Sequence, residues 1–241
     1  MNKNQVSIVL FLGGNMLIRL QNITKSYGET EPKVTAINKL DLAIDTNEQV
    51  AIMGKSGCGK TTLINVLSTI DYPTEGKYYF DDIEVNNMNE KALAKFRRQQ
   101  VSIIFQAYNL MPELTVRENI LLPLIFDGKK VDSAYLNEIV SALMIHDRLS
   151  YFPHQLSGGQ QQRVAIARAL IMKPAVILAD EPTGNLDSKT GQEVISLILT
   201  CCKKYGQTLV LVTHDLGIAQ HASRLIEMSD GKIIMDKKVM V

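Results

Sequence analysis

The chain has 241 residues, 26 Lys and Arg against 25 Asp and Glu, and 46% apolar residues. That length accommodates one large domain, or a domain with a small lobe, and the apolar share supplies a substantial core. A net charge of +1 excludes nucleic-acid binding driven by bulk charge and leaves room only for a local patch. Three cysteines, Cys58, Cys201 and Cys202, are too few and too awkwardly placed for a disulfide framework, which points to a reducing, intracellular compartment.

In chain order, Val6 to Leu12 is the longest candidate membrane segment and falls far short of the ~20 residues that cross a bilayer. A single Lys3 precedes it and no convincing small-residue cleavage site follows, so residues 1–15 read as a leader, or as a disordered start upstream of the native one. Met16 opens the first patterned strand. Leu17–Lys25 and Val34–Ile44 alternate, with Leu40, Leu42 and Ile44 on one face, and predict antiparallel strands. Gln49–Met53 is a short apolar strand running into a glycine loop, and Leu63, Ile64, Val66 and Leu67 give the helix after it one buried face. Gly76–Asp81 predicts another strand, and Ser102–Phe105 a core strand ending at Gln106.

From about Val116 to Tyr151 the pattern is helical, with Asp132 as a cap and Leu136, Ile139, Val140, Leu143 and Met144 on one face. A helix runs from the glycines after Ser157 to about Met172. Val176–Ala179 and Thr208–Val212 are core strands, and the helix between them turns Val194, Ile195, Ile198, Leu199 and Cys202 inward before ending near Gly206. Leu225–Met228 and Lys232–Met235 flank Ser229-Asp230-Gly231, a hairpin signal. Strands alternating with helices predict a mostly parallel sheet covered on both faces, with the Val116–Ala169 stretch as an inserted helical lobe and the early strands as a second, smaller sheet.

Gly54-Lys55-Ser56-Gly57-Cys58-Gly59-Lys60-Thr61 has the form of a phosphate-binding loop. Such a loop aims backbone N–H groups at an anion where the helix dipole also favours negative charge. Gly54, Gly57 and Gly59 permit the tight path, Lys60 is placed for the β- and γ-phosphates, and the Thr61 hydroxyl for Mg²⁺; Thr62 closes the site. Val176–Ala179 delivers Asp180 and Glu181 to a strand exit, where Asp180 fits the Mg²⁺ shell and Glu181 a base for the attacking water. Gln106 and His214 also end strands, where ligands sit in such sheets. His214 is either structural or a γ-phosphate contact, Gln106 either structural or a contact for water or Mg²⁺. Tyr27 either stacks on an adenine or packs beside a glycine turn.

Leu156-Ser157-Gly158-Gly159-Gln160 makes a second anion-binding helix tip. One subunit needs only one phosphate cradle, so the second tip implies an isologous dimer in which each tip caps the ATP of the other copy.

These motifs, in this order from about Met16 to the C-terminus, resemble the ATP-binding subunit of ATP-binding cassette (ABC) transporters. The resemblance implies an α/β phosphate-loop ATPase core with a mostly parallel sheet, an antiparallel β subdomain and a helical subdomain at about residues 107–170, all within a nucleotide-binding domain at 16–241. It implies that Tyr27 stacks on adenine, Gln106 senses Mg²⁺ and the membrane partner, Glu181 is the general base and His214 contacts the γ-phosphate. It also implies a homodimer on the cytoplasmic face of the membrane, bound to a multi-span permease through the Tyr108–Asn119 segment. Cys58 departs mildly from the serine that many members carry at a variable loop position. Glu181-Pro182-Thr183-Gly184-Asn185-Leu186-Asp187, with Gly-Asn where many transport ATPases have Ser-Ala, resembles the branch of macrolide exporters, lipoprotein-release systems and the cell-division ATPase. Leu67–Thr74, Phe105–Pro112 and Leu114–Ile120 are similar to the bacitracin and lantibiotic resistance exporters of Gram-positive bacteria; a rival reading is a non-transporting regulator that uses ATP to signal from a membrane partner to a two-component sensor kinase. Soluble relatives in DNA repair carry a long coiled-coil insertion for which the Lys60–Leu156 span has no room, and those in translation carry each motif twice, whereas here each stands once.

Overall fold

In the computed structural model, residues 16–28 and 32–239 are described, and the expectation for residues 1–15 lies outside them. The two alternating segments form β1 (Met16–Tyr27) and β2 (Val34–Asp45), paired antiparallel with Tyr27 opposite Val34. β3 (Gln49–Met53) leaves for another sheet and feeds the glycine loop and α1 (Lys60–Leu67). β4 (Glu75–Phe80) and the two-residue β5 (Ile83–Glu84) return to complete an antiparallel sheet of order β2-β1-β4-β5.

α2 (Glu90–Gln100) has no counterpart among the expected elements. It buries only Leu93 and Phe96, one turn apart, so its apolar stripe is too thin to read; Asn89 caps it by accepting from the Ala92 N–H at 2.9 Å. β6 (Val101–Phe105) follows directly.

The expected helical run to Tyr151 is instead broken. α3 (Val116–Phe126) opens with a reciprocal Thr115–Glu118 cap and α4 (Ser133–Ala142) with Asp132 accepting from Tyr135, as the sequence predicts for Asp132. Gly128, at φ 66°, lies in the turn that separates them. Met144 is not on the buried face: α4 has ended, Met144 sits at φ 55° and is 61% exposed, and Ile145 takes the buried place. A 3₁₀ turn at His146–Arg148 and another at Pro153–Gln155 lead to α5 (Gly158–Leu170).

β7 (Val176–Asp180), α6 (Ser188–Tyr205, closed by Gly206 at φ 63°), β8 (Thr208–Val212) and the short α7 (Leu216–Ala219) follow. β9 (Arg224–Ser229) and β10 (Lys232–Lys238) form the hairpin predicted at Asp230-Gly231. The larger sheet has the order β10-β9-β3-β8-β7-β6, parallel from β9 to β6 with β10 antiparallel at one edge.

This sheet divides two cores. Along β7, Val176 and Leu178 face the core shared with α1 and the small sheet, while Ile177 and Ala179 face the core shared with α3–α6; along β8, Val210 and Val212 take the first side, Leu209 and Leu211 the second. Burial on both faces is why these strands read as unbroken apolar runs. At ~1.5–3 kcal/mol for each large aliphatic side chain removed from water, this packing fixes the strand register and with it the strand exits.

Candidate active site

Because β3, β6, β7 and β8 are parallel, the residues that follow them gather at one end of the sheet. Phe105 pairs with Asp180 and Asp180 with Val212, so Gln106, Glu181 and Thr213-His214 leave adjacent strands side by side. The phosphate loop leaves β3 on the other flank of β8.

Steric crowding explains two of the loop glycines. Gly54, at φ 153°, lies so close to the β9–β10 hairpin that a Cβ would stand 2.3 Å from the Met228 carbonyl oxygen; Gly59, at φ 105°, would clash equally with Ala36. The hairpin turn is itself tied to the loop, Gly231 N–H donating to the Cys58 carbonyl at 3.0 Å. Lys55, Ser56 and Gly57 are exposed, Cys58 and Lys60 buried. The Lys60 ammonium, on a residue only 7% exposed, donates to the carbonyls of Gly54 at 2.7 Å and Lys55 at 3.0 Å. Its charge is thereby held inside the curve of the loop.

The Thr61 side chain, on the first turn of α1, lies beside the Asp180 carboxylate. Burial pushes the Asp180 carboxyl up, the nearby Thr61 hydroxyl and the Lys60 charge pull it down, and the Glu181 carboxylate beside it pushes up again, for a net rise. A carboxylate short of positive charge beside a hydroxyl is a hard-oxygen pair suited to Mg²⁺, which is typically held by one or two protein oxygens plus substrate phosphates. Among the described residues no three His, Cys, Asp or Glu side chains form a cage, and such a metal needs none.

Glu181 turns the chain at φ 45°, a conformation uncommon outside glycine, yet its N–H continues the ladder to the Val212 carbonyl at 3.0 Å. Its carboxylate lies 3.2 Å from His214 Nδ1. The structure thus brings these two expected residues into direct contact.

Tyr27, 41% exposed, stands next to the Thr62 side chain at the start of α1. Its own hydroxyl donates to Asp71 at 2.7 Å, and Asp71 in turn accepts from Lys25 and from the Tyr72 N–H. Asp71 and Lys25 were not legible as partners, because the Tyr27–Asp71 bond spans 44 residues.

At the second glycine motif, Ser157 and Gln160 cap each other, Ser157 N–H donating to Gln160 Oε1 at 2.9 Å. Its glycines have an additional reason within the chain. A Cβ on Gly158 would lie 2.8 Å from the Tyr108 hydroxyl, and one on Gly159 2.6 Å from the Thr190 methyl. Arg168, further along α5, donates to the carbonyls of Tyr108 at 2.7 Å and Asn109 at 2.6 Å. α5 therefore grips the segment after Gln106, a link that sequence reasoning missed. Among the described residues, the side chains closest to Gly158 and Gly159 come from Tyr108, Leu186 and Thr190, not from residues 54–62.

With that geometry in place, residues 37–184 match the family model described as ABC transporter. The chain belongs to the ABC transporter family. The ABC transporter ATP-binding protein MJ0796 of Methanocaldococcus jannaschii is 42% identical over 229 residues, covering 92% of this chain and 97% of its own length. The macrolide export ATP-binding/permease protein MacB 1 of Aeromonas hydrophila is 46% identical over 224 residues, 92% of this chain but 34% of that protein, so the chain spans about a third of the exporters it matches. Among solved structures, the dimeric post-hydrolysis state of the MJ0796 cassette bound to ADP and Pi superposes with TM-score 0.84 at 40% identity, covering 93% of this chain and all of that one. The mixed α/β ABC ATPase fold and ATPase activity follow for this chain. It is the ATP-binding subunit of an ABC transporter. No helix among the described residues is long and apolar enough to cross a membrane.

Proposed function

We propose that two copies of this chain hydrolyse Mg·ATP at two shared sites on the cytoplasmic face of the membrane, driving a separate multi-span permease that exports antimicrobial peptides of the bacitracin or lantibiotic type. The observation that carries the reading is the meeting of the glycine loop, Asp180, Glu181 and His214 at one end of a parallel sheet. Relatives that fuse an ATP-binding part to a permease, and the dimers formed by the MJ0796 cassette, support the two partners. The peptide cargo rests on the resemblance of the 67–74, 105–112 and 114–120 segments.

In this mechanism Gly54–Thr62 cradle the triphosphate through main-chain N–H groups, with the Lys60 ammonium on the β- and γ-phosphates, while Tyr27 stacks on adenine. Thr61 and Asp180, with Gln106, would hold the metal, which supplies charge neutralisation at the phosphate oxygens. Glu181 takes the proton of the attacking water, and His214, oriented by its contact with Glu181, hydrogen-bonds the γ-phosphate. Ser157, Gly158, Gly159 and Gln160 of the second copy cap the same phosphates and exclude water from them. Catalysis is then mainly positioning and charge.

The segment from Tyr108 to Asn119 faces the permease. Asn119, fully buried, accepts from the Met111 N–H at 2.7 Å and donates to the carbonyls of Met111, Leu114 and Thr115, each at 3.0 Å. That bracing presents the Met111 side chain, 46% exposed, outward. At the far end of α3, Phe126 is 71% exposed and lines an open hollow with Arg98, Leu122 and Pro123.

The test is isolation of the tagged chain with the multi-span protein it retains from detergent-solubilised native membranes, followed by ATPase assay in vesicles. Bacitracin is expected to raise the rate several-fold, and Met111→Asp to cut permease recovery by about tenfold, the equivalent of 1.4 kcal/mol. Stimulation by a macrolide and not by the peptide would move the cargo to the macrolide class. Recovery of no membrane protein would overturn the transport reading.

A further inference from the structure

The Gly-Asn pair after Glu181 meets Gln106 in three ways. Asn185 Nδ2 donates to the Gln106 main-chain carbonyl at 3.0 Å, and Gln106 Nε2 donates to Asn185 Oδ1 at 3.2 Å. Gly184 lies directly under the same amide: a Cβ there would stand 2.5 Å from Gln106 Nε2, 2.7 Å from Cδ and 3.0 Å from Cγ. We propose that Asn185 is a positioning residue for Gln106, fixing its amide so that Oε1 is the atom offered to the Mg²⁺ and water of the nucleotide site. The inference rests on the assignment of Gln106 to that site.

The orientation follows from donor and acceptor chemistry alone. The two ends of a glutamine amide look alike in shape but are opposite in role, and only a hydrogen-bond network decides which end points where. A main-chain carbonyl can only accept. Asn185 must therefore turn its NH₂ toward Gln106 O, which leaves Oδ1 facing the Gln106 side chain. That oxygen can only accept too, so Gln106 must present its own NH₂ there. Oε1 is what remains, and oxygen is the end that a hard cation or a water proton takes.

Gly184 makes the arrangement possible. Its N–H closes a turn onto the Glu181 carbonyl at 3.0 Å, which brings the glycine face against the glutamine. Any side chain at position 184 would evict the amide from Asn185. The Gly-Asn pair thus has a physical reason: the glycine leaves space and the asparagine sets polarity. Residues 106 and 185 are 79 apart in the chain, and the pairing of β6 with β7 is what makes them neighbours.

The test compares ATP affinity with Mg²⁺ and with a chelator, in chains carrying Glu181→Gln so that turnover does not intervene. The readout is the factor by which Mg²⁺ tightens ATP binding. Asn185→Ala is expected to reduce that factor about fivefold, the size of one or two hydrogen bonds lost, with the Mg²⁺-free affinity unchanged. Gln106→Ala is expected to reduce it at least as much, and the double variant no further than Gln106→Ala alone. Asn185 is exposed, so its truncation leaves a folded chain, which thermal melting verifies.

If Gln106→Ala lowers the factor and Asn185→Ala does not, the positioning role is wrong while Gln106 keeps its assignment. If the two effects multiply in the double variant, Asn185 acts independently of Gln106 and the inference falls. If Gln106→Ala itself leaves the factor unchanged, the assignment of Gln106 falls and takes the inference with it.

Discussion

Glu181→Gln is expected to bind Mg·ATP and to turn it over about 10²–10⁴-fold more slowly, the usual contribution of a positioned general base. The substitution is nearly isosteric, and the position tolerates it because the backbone, not the carboxylate, sets the turn: the N–H stays bonded to Val212 O at 3.0 Å whatever the side chain. What changes is the proton acceptor. An amide still contacts His214 but cannot take a proton from water, so ATP stays intact between two closed copies. Single-turnover kinetics with sedimentation checks both parts, since the variant is expected to sediment as a dimer with ATP and as a monomer with ADP. Hydrolysis within a few-fold of the parent rate would remove Glu181 from its role.

The second large effect is expected at Lys60. Its ammonium is fixed by two loop carbonyls at 2.7 and 3.0 Å and shielded from water, so no reorganisation is needed when charge builds on the phosphate. Lys60→Ala removes that charge and leaves the carbonyls of Gly54 and Lys55 without their donor. The expected loss is about 10²–10³ in kcat, as for other preorganised donors, together with weaker ATP binding. Lys60→Arg is not expected to restore the rate, because a planar fork does not fit a space shaped for a compact ammonium. Steady-state kcat and equilibrium ATP binding, measured separately, test this; a kcat within about threefold of the parent would contradict it.

The large sheet was legible because its parallel strands are buried on both faces. Val176–Ala179 and Thr208–Val212 read as apolar runs for that reason, the first followed by Asp180 and the second by Thr213-His214. The glycine loop was legible because the backbone path there tolerates few other residues. α2 was not, since Leu93 and Phe96 are its only buried residues, while further tertiary ties such as Arg97 to the Thr69 carbonyl and Gln99 to Asp127 are polar. Met144 misled because helical spacing continues in the sequence two residues beyond Ala142, where the helix ends.

Within the site, the residues proposed to touch substrate stand in local motifs, and those that hold them in place do not. Asp71 beneath Tyr27, Arg168 on the Tyr108 and Asn109 carbonyls, and Asn185 on Gln106 are bonds across 44, 59 or 60, and 79 residues. Local patterns carry no information about such partners. They exist only once strand order has been set. Gly158 and Gly159 lie between the two cases. Their helix start was plain from sequence, but their need to clear Tyr108 and Thr190 was not.

In the proposed mechanism a single copy lacks a complete catalytic centre, because the 157–160 tip of one chain serves the phosphates held by another. Steady-state ATPase rate measured across a dilution series, with sedimentation run on the same samples, tests it most directly. The rate per chain is expected to rise with concentration and to track the dimer fraction, tending to zero where every chain is monomeric. A monomeric sample hydrolysing ATP at the full per-chain rate would contradict it.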